Sequence, residues 1–162
     1  MSLPITQYEP VIDQGSLGVS PDADYLEGQF SQIRQDALIL ATNKINDSTL
    51  QKGFLEIIDK ASEPDWDGYG ALSMDYGSLR FALAFLWLLP NHYPLPEIDM
   101  DNKGRISLEW FSTKSKRLSV SVTGTGKLIY AFLAGANSGS GEEYIGSNVP
   151  NTILGIIRRI TG

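Results

Sequence analysis

The sequence predicts an α+β fold, a three- or four-stranded antiparallel β-meander packed on helices, with an N-terminal helical pair and a C-terminal amphipathic helix. Three observations predict it. Apolar residues recur every three or four positions through the first half, the period drops to two between about residues 105 and 134, and the helical period returns after Pro150. Helices, then consecutive strands, then a helix is the order of an α+β domain and not of a βαβ alternation. With 162 residues and 42% hydrophobic content the chain suits one domain, taken as residues 24–162 behind an irregular arm at 1–23.

The arm holds Pro4, Pro10, Pro21, Gly15 and Gly18 without a period. Leu26, Phe30, Ile33, Ala37, Leu40 and Ala41 then form one apolar stripe, which predicts a helix over 24–43 with Asp22 and Asp24 at its positive end. Asn46–Thr49 supplies turn and capping residues for a second helix over 48–61, whose stripe is Leu50, Phe54, Ile57, Ile58 and Ala61. Ser73 or Asp75 caps a third helix over 74–89, apolar almost all round from Phe81 to Leu89 and so expected to be covered on all sides. Three prolines in "PNHYPLP" stop it.

Three strands follow at about 105–112, 116–123 and 127–134. Ile106, Leu108, Trp110, Leu118, Val120 and Val122 alternate with Ser107, Glu109, Phe111, Ser119 and Ser121. "EIDMDNKG" predicts a short strand and a tight turn at Asp101–Gly104, and "TGTGK" predicts a hairpin turn. "AGANSGSGEE" reads as a glycine and serine loop, with "EYIGS" as a short edge strand. Asn148 caps and Pro150 begins a last helix over 150–160, striped by Ile153, Ile156, Ile157 and Ile160 and ending in Arg158 and Arg159.

Composition excludes several chemistries. Without cysteine there is no disulfide, no thiolate metal site and no cysteine nucleophile. The single His92, in a proline-rich link, argues against a catalytic triad or a multi-histidine metal site. The start lacks a signal-peptide pattern, and the apolar run Phe81–Pro90 is shorter than the roughly 20 residues of a membrane span. A soluble, cytoplasmic protein without cofactor, metal or membrane partner is expected. Charge is polarised along the chain: residues 1–102 carry 16 Asp/Glu against 5 Lys/Arg, and residues 103–162 carry 8 Lys/Arg against 3 Asp/Glu. Such halves either neutralise each other across the fold or present surfaces to oppositely charged partners.

Two apparent motifs fail on spacing. Asp99, Asp101 and Gly104 occupy calcium-loop positions one, three and six, but Lys103 stands where an oxygen ligand belongs and Trp110 where a glutamate belongs. "TGTGK" lacks the glycine spacing and the hydroxyl residue of a phosphate loop.

The most distinctive stretch is "EPDWDGYGA". Gly68 and Gly70 permit positive φ, Asp67 can bond the backbone two residues on, and Trp66 and Tyr69 bracket the turn. Such a corner either pins two helices together or offers a stacking platform with carboxylate acceptors. The candidate binding residues are Trp66, Asp67, Tyr69, Glu109 and Trp110, with no catalytic residue assigned.

Trp66, Asp67, Gly68, Gly70 and Ala71, followed by a leucine-rich helix and then by Gly104, Ile106, Leu108, Glu109 and Trp110, resemble a group of small bacterial and phage-associated proteins of unknown function. The resemblance spans Trp66 to Phe132, less than half the chain, and implies a helix-plus-meander core without any activity. The favoured expectation is a non-enzymatic interaction protein of a bacterial or phage accessory system that binds a protein partner. Homo-oligomerisation is compatible with it. Three alternatives stand beside it: a carboxylate enzyme acting on a sugar or nucleotide with Asp67 and Glu109; a nucleic-acid binder using Lys103, Arg105, Lys114, Lys116, Arg117 and Lys127; and an acidic nucleic-acid mimic presenting Asp22, Asp24, Glu27, Asp36, Glu56 and Asp59.

Overall fold

The structure, a computed structural model, describes residues 48–60 and 63–162, with three further positions, Gly28, Gln32 and Gln35, that are helical. Those three fall within the helix predicted for 24–43; the remainder of that helix and the arm at 1–23 lie outside the described residues. The chain divides into two compact units, Met1–Gln32 and Ile33–Gly162. The second contains, in order, α1 (Ser48–Lys60), α2 (Tyr76–Leu88), β1 (Glu97–Met100), β2 (Ile106–Thr113), β3 (Lys116–Val122), β4 (Lys127–Ala134), β5 (Asn137–Tyr144) and α3 (Asn151–Thr161). No described helix is long and apolar enough to cross a membrane.

The class is α+β, and the sheet is antiparallel throughout with its strands in sequence order. The expected three or four strands become five. The short strand read in "EIDM" is β1, and the "AGANSGSGEE" stretch is not a loop: only Gly135 and Ala136 turn, and Asn137–Tyr144 pairs with β4 along its whole length. Glycine and serine lack the side chains that stabilise a strand, so composition argues for a loop. The missing contacts come from the neighbouring strand. A Cβ added at Gly139 would stand 2.8 Å from the Phe132 ring, and one at Gly141 2.5 Å from the Tyr130 hydroxyl. Each ring therefore lies over the glycine directly opposite it in the register, filling the gap with apolar surface.

Met100, Ile106, Leu108, Trp110, Leu118, Val120, Val122 and Leu128 are buried on one face of the sheet. All three described helices pack there. α3 buries Ile153, Ile156, Ile157 and Ile160 across β2, β3 and β4; Phe85 of α2 sets its ring 6.1 Å from that of Trp110; and Gly53 of α1 lies over Ile98 of β1. Asp75, one of the two expected caps, is the N-cap of α2 and accepts from Ser78 N at 3.3 Å. Only the α2 face holding Leu79, Ala82, Phe85 and Leu86 is buried, so the expectation of cover on all sides is corrected: Trp87 keeps 55% of its surface exposed. α3 begins at Asn151 after Pro150 without a side-chain cap, so Asn148 does not serve as one.

The junction of α2 with the sheet depends on a buried hydroxyl. Ser78 Oγ donates to Val122 O at 2.6 Å and accepts from Ile106 N at 2.7 Å. Ile106 and Val122 face each other in the β2–β3 register, so one side chain ties the helix to both strands at the end of their ladder. Close backbone approach makes this possible. Gly104 has φ +77° and its added Cβ would collide with Ser73 O, while a Cβ on Gly124 would meet the Asp75 carboxylate. The turns expected at Asp101–Gly104 and in "TGTGK" are closed by Gly104 N→Asp101 O and Gly126 N→Thr123 O at 3.0 and 3.1 Å.

Replacing Ser78 by alanine leaves the Ile106 N–H and the Val122 carbonyl buried without that partner. At about 1–3 kcal/mol for each buried group left unsatisfied, Ser78→Ala is expected to lower stability by about 2–4 kcal/mol in urea denaturation. A loss below about 0.5 kcal/mol, the range of ordinary surface substitutions, would show that the hydroxyl is not structural.

Candidate functional site

The corner at Glu63–Leu72 spends most of its polar groups on itself. Asp65 adopts φ 61°, its N–H donates to Ala71 O at 2.7 Å, and its Oδ1 accepts from Gly70 N at 2.6 Å. Asp67 Oδ1 accepts from Tyr69 N at 2.8 Å and from Ala71 N at 3.1 Å, while Trp66 Nε1 donates to Leu72 O at 3.1 Å. Such bonds fix the turn, as expected of aspartates that substitute for backbone acceptors. The corner docks on the β1–β2 turn through Leu72 N→Asn102 O at 3.0 Å and by burying Ala71 and Met74. Tyr69 takes no part in the packing, with 93% of its surface exposed.

Glu109 and Trp110 are separated by the alternation of β2. Trp110 faces the core, where its Nε1 donates to Pro94 O at 2.8 Å and fixes the proline-rich link. Glu109 faces the other way, with Oε1 3.5 Å from the hydroxyls of both Ser107 and Ser119. It lies five residues along the strand direction from Gly104, about 16 Å at 3.3 Å per residue. The structure thus brings Trp66, Asp67 and Tyr69 together in one loop, but it does not bring them to Glu109, and it turns Trp110 into the core.

The face that carries Glu109 is the second side of the sheet, on which none of the three described helices packs. Its rows follow from the register: Phe111, Arg117, Leu133 and Ser138 lie side by side, and next to them Glu109, Ser119, Ala131 and Ser140. Glu109, Phe111, Arg117, Ser119, Ala131 and Leu133 line an open depression of about 380 Å³. Its floor is apolar, Phe111 is 55% exposed, and Arg117 makes no ion pair among the described residues. No protein-family model, curated protein or solved structure matches the chain.

Charge is sorted by the topology. Ser112 Oγ donates to Ile160 O at 2.7 Å, which brings the C-terminal turn of α3, with Arg158 and Arg159, beside the β2–β3 turn, with Lys114, Lys116 and Arg117. No aspartate or glutamate occurs in that turn, in the β4–β5 turn or in the last turn of α3. At the opposite end stand Asp65, Asp67, Asp75, Asp99 and Asp101. The ion pairs among the described residues, Lys52–Glu56, Arg105–Asp101 and Lys127–Glu142, join neither end to the other. The six cations of the nucleic-acid alternative are divided: Lys103, Arg105 and Lys127 sit at the acidic end, where Arg105 pairs with Asp101 at 2.7 Å and Lys127 with Glu142 at 3.1 Å. The hydrogen bond that Lys127 Nζ donates to Glu142, with the charge of that carboxylate, holds the ammonium above the usual lysine range. Of the acidic-mimic residues only Glu56 and Asp59 are described, both exposed on α1. No described group of carboxylates and histidine is arranged to hold a metal ion.

Phe111, Ala131 and Leu133 were not among the candidate residues singled out from sequence, and Arg117 was singled out only as one of the six cations of the nucleic-acid alternative. The signal was present in Phe111, a large apolar residue in the polar phase of an alternating strand.

These bonds predict different roles for two neighbours in the corner. Asp67→Ala is expected to cost about 1–2 kcal/mol, since two turn N–H groups lose a charged acceptor, and Tyr69→Ala to stay within about 0.5 kcal/mol of the parent in urea denaturation. A Tyr69→Ala loss as large as that of Asp67→Ala would contradict the assignment of Tyr69 to the exterior.

Proposed function

We propose that this chain is a non-enzymatic interaction module that binds an acidic protein partner in the depression on the second face of its sheet. The observation that supports this reading is the exposed Phe111 beside Arg117, a guanidinium without an ion pair among the described residues, at the end where five cations converge. A partner side chain of apolar character seats on Phe111, Ala131 and Leu133, and a carboxylate beside it meets Arg117. Lys114, Lys116, Arg158 and Arg159 extend the attraction beyond the contact and raise the rate of encounter. Glu109, held by two hydroxyls, accepts a donor from the partner and fixes its orientation.

A protein suits this face better than a nucleic acid does. Glu97, Asp99, Glu109 and Glu142 lie on the same side of the sheet, so a phosphate backbone laid across it would meet like charge, whereas a protein surface can present both signs. The carboxylate-enzyme alternative loses its support because Glu109 stands apart from Asp67. The setting in a bacterial or phage accessory system rests on the sequence resemblance alone.

A photo-crosslinking amino acid placed at position 111 tests the proposal in the native host. One discrete protein adduct is expected, insensitive to nuclease, weakened by added salt and reduced about tenfold by Arg117→Glu, as for loss and reversal of an interfacial charge. A nuclease-sensitive adduct would move the assignment to nucleic acid. No adduct, or one indifferent to Arg117→Glu, would overturn it.

A further inference from the structure

The two edges of the sheet are finished differently. β1 has four residues, follows Pro94 and Pro96, and is flanked by α1, where a Cβ added at Gly53 would stand about 4.0 Å from the Ile98 carbonyl oxygen. The N–H of Met100 is occupied by the Asp99 carboxylate at 2.8 Å. These are the devices by which proteins blunt an edge. β5 has none of them: eight residues, no proline, no lysine or arginine, and a register to β4 that runs without a bulge from Ala134↔Asn137 to Lys127↔Tyr144.

The ladder fixes which groups of β5 point outward. Ile145 N donates to Gly126 O at 2.9 Å, so in the alternation of an antiparallel pair Glu143, Gly141, Gly139 and Asn137 also bond inward to β4. The N–H and C=O of Ser138, Ser140, Glu142 and Tyr144 face outward, and no described group bonds them. Between these positions lie Gly139 and Gly141, whose missing side chains leave the rings of Phe132 and Tyr130 reaching over them. The rings are half-buried and stand two residues apart along β4, which is the side-chain repeat of a strand.

We infer that the outer edge of β5 takes an extended strand from a partner polypeptide, antiparallel, with apolar side chains at two alternate positions covering Tyr130 and Phe132 and a basic residue two positions before them facing Glu143. The geometry sets the order of that segment as basic, any, apolar, any, apolar. Residues of the incoming strand opposite Gly141 and Gly139 occupy the non-hydrogen-bonded pairs, where Cα atoms approach most closely and side chains can reach the rings. Glu143 makes no ion pair among the described residues and lies on the same face as the two rings. A second copy of this chain fits less well, because the positions of its own β5 that would cover the rings are Asn137, Gly139, Gly141 and Glu143. Backbone bonds supply affinity and the two rings supply selectivity, the division of labour of strand addition. Phe132 also lines the depression around Phe111, but no residue of β5 does, so backbone N-methylation of the peptide tests the edge and Arg117→Glu tests the depression.

The test uses the full chain and a nine-residue synthetic peptide with lysine, valine and valine at the basic and two apolar positions. Two control peptides have the valines moved by one residue, or the backbone N-methylated at the positions facing Ser138, Ser140 and Glu142. Saturating peptide is expected to slow amide exchange at Ser138, Ser140, Glu142 and Tyr144 while leaving Phe111 and Leu133 unchanged. The shifted peptide should bind about tenfold more weakly, because a one-residue slip turns every side chain to the other face. Ser140→Pro removes an outward N–H and leaves the inward ladder intact, so it should abolish binding with the melting transition retained. If that variant does not fold, loss of binding by the N-methylated peptide decides the matter. Absence of protection at saturation, equal binding of the N-methylated peptide, or perturbation at Phe111 in place of β5 would overturn the inference. Protection already present without peptide, with a concentration-dependent doubling of mass, would assign the edge to a second copy and overturn it equally.

Discussion

A single buried hydroxyl governs how the described part of the chain is put together. Ser78 sits in the first turn of α2 and joins the Ile106 N–H to the Val122 carbonyl, so helix, β2 and β3 share one fixed point. Buried backbone groups at the end of a ladder must find partners, and here the Ser78 hydroxyl of the helix is a partner to both. Because the hydroxyl must come within bonding distance of both strands, α2 sits close to the turns beside it, and Gly104 and Gly124 are the residues that let it do so. The core continues along the helix from that point. Phe85, two turns further along α2, meets Trp110, and Trp110 in turn holds Pro94 and the link into β1.

Much of this was legible in the sequence because it is written in local periodicity. The stripes Leu50–Phe54–Ile57–Ile58 and Ile153–Ile156–Ile157–Ile160 are the buried faces of α1 and α3, and the alternation from Ile106 to Val122 is the inner face of β2 and β3. β5 was not legible in the same way. Residues 137–144 carry neither alternation nor β-branched side chains, and their strand conformation depends on rings contributed by Tyr130 and Phe132 across the ladder. The side of the sheet on which a residue emerges decides the candidate site as well. Glu109 and Trp110 are adjacent in sequence and belong to opposite faces, whereas Phe111 and Arg117 come together only through the β2–β3 register.

Charge shows the same dependence on topology. The sequence divides into an acidic and a basic portion, which leaves open whether the two cancel. Among the described residues they cancel in part, through Arg105 and Asp101, while the other carboxylates of the corner and of the β1–β2 turn gather at one end and the cations of the β2–β3 turn and of α3 at the other. With the described helices confined to one face of the sheet, the second face and the outer edge of β5 are the sheet surfaces that those helices leave uncovered.

The central claim is that the sheet is anchored at Ser78 and open at β5. Native-state hydrogen exchange on the unliganded protein tests it most directly, residue by residue. The Ile106 amide is expected to exchange only through global unfolding, and the amides of Ser138, Ser140, Glu142 and Tyr144 at rates close to those of an unprotected chain. Exchange of Ile106 through a local opening, or protection of those four amides in the free protein, would contradict it.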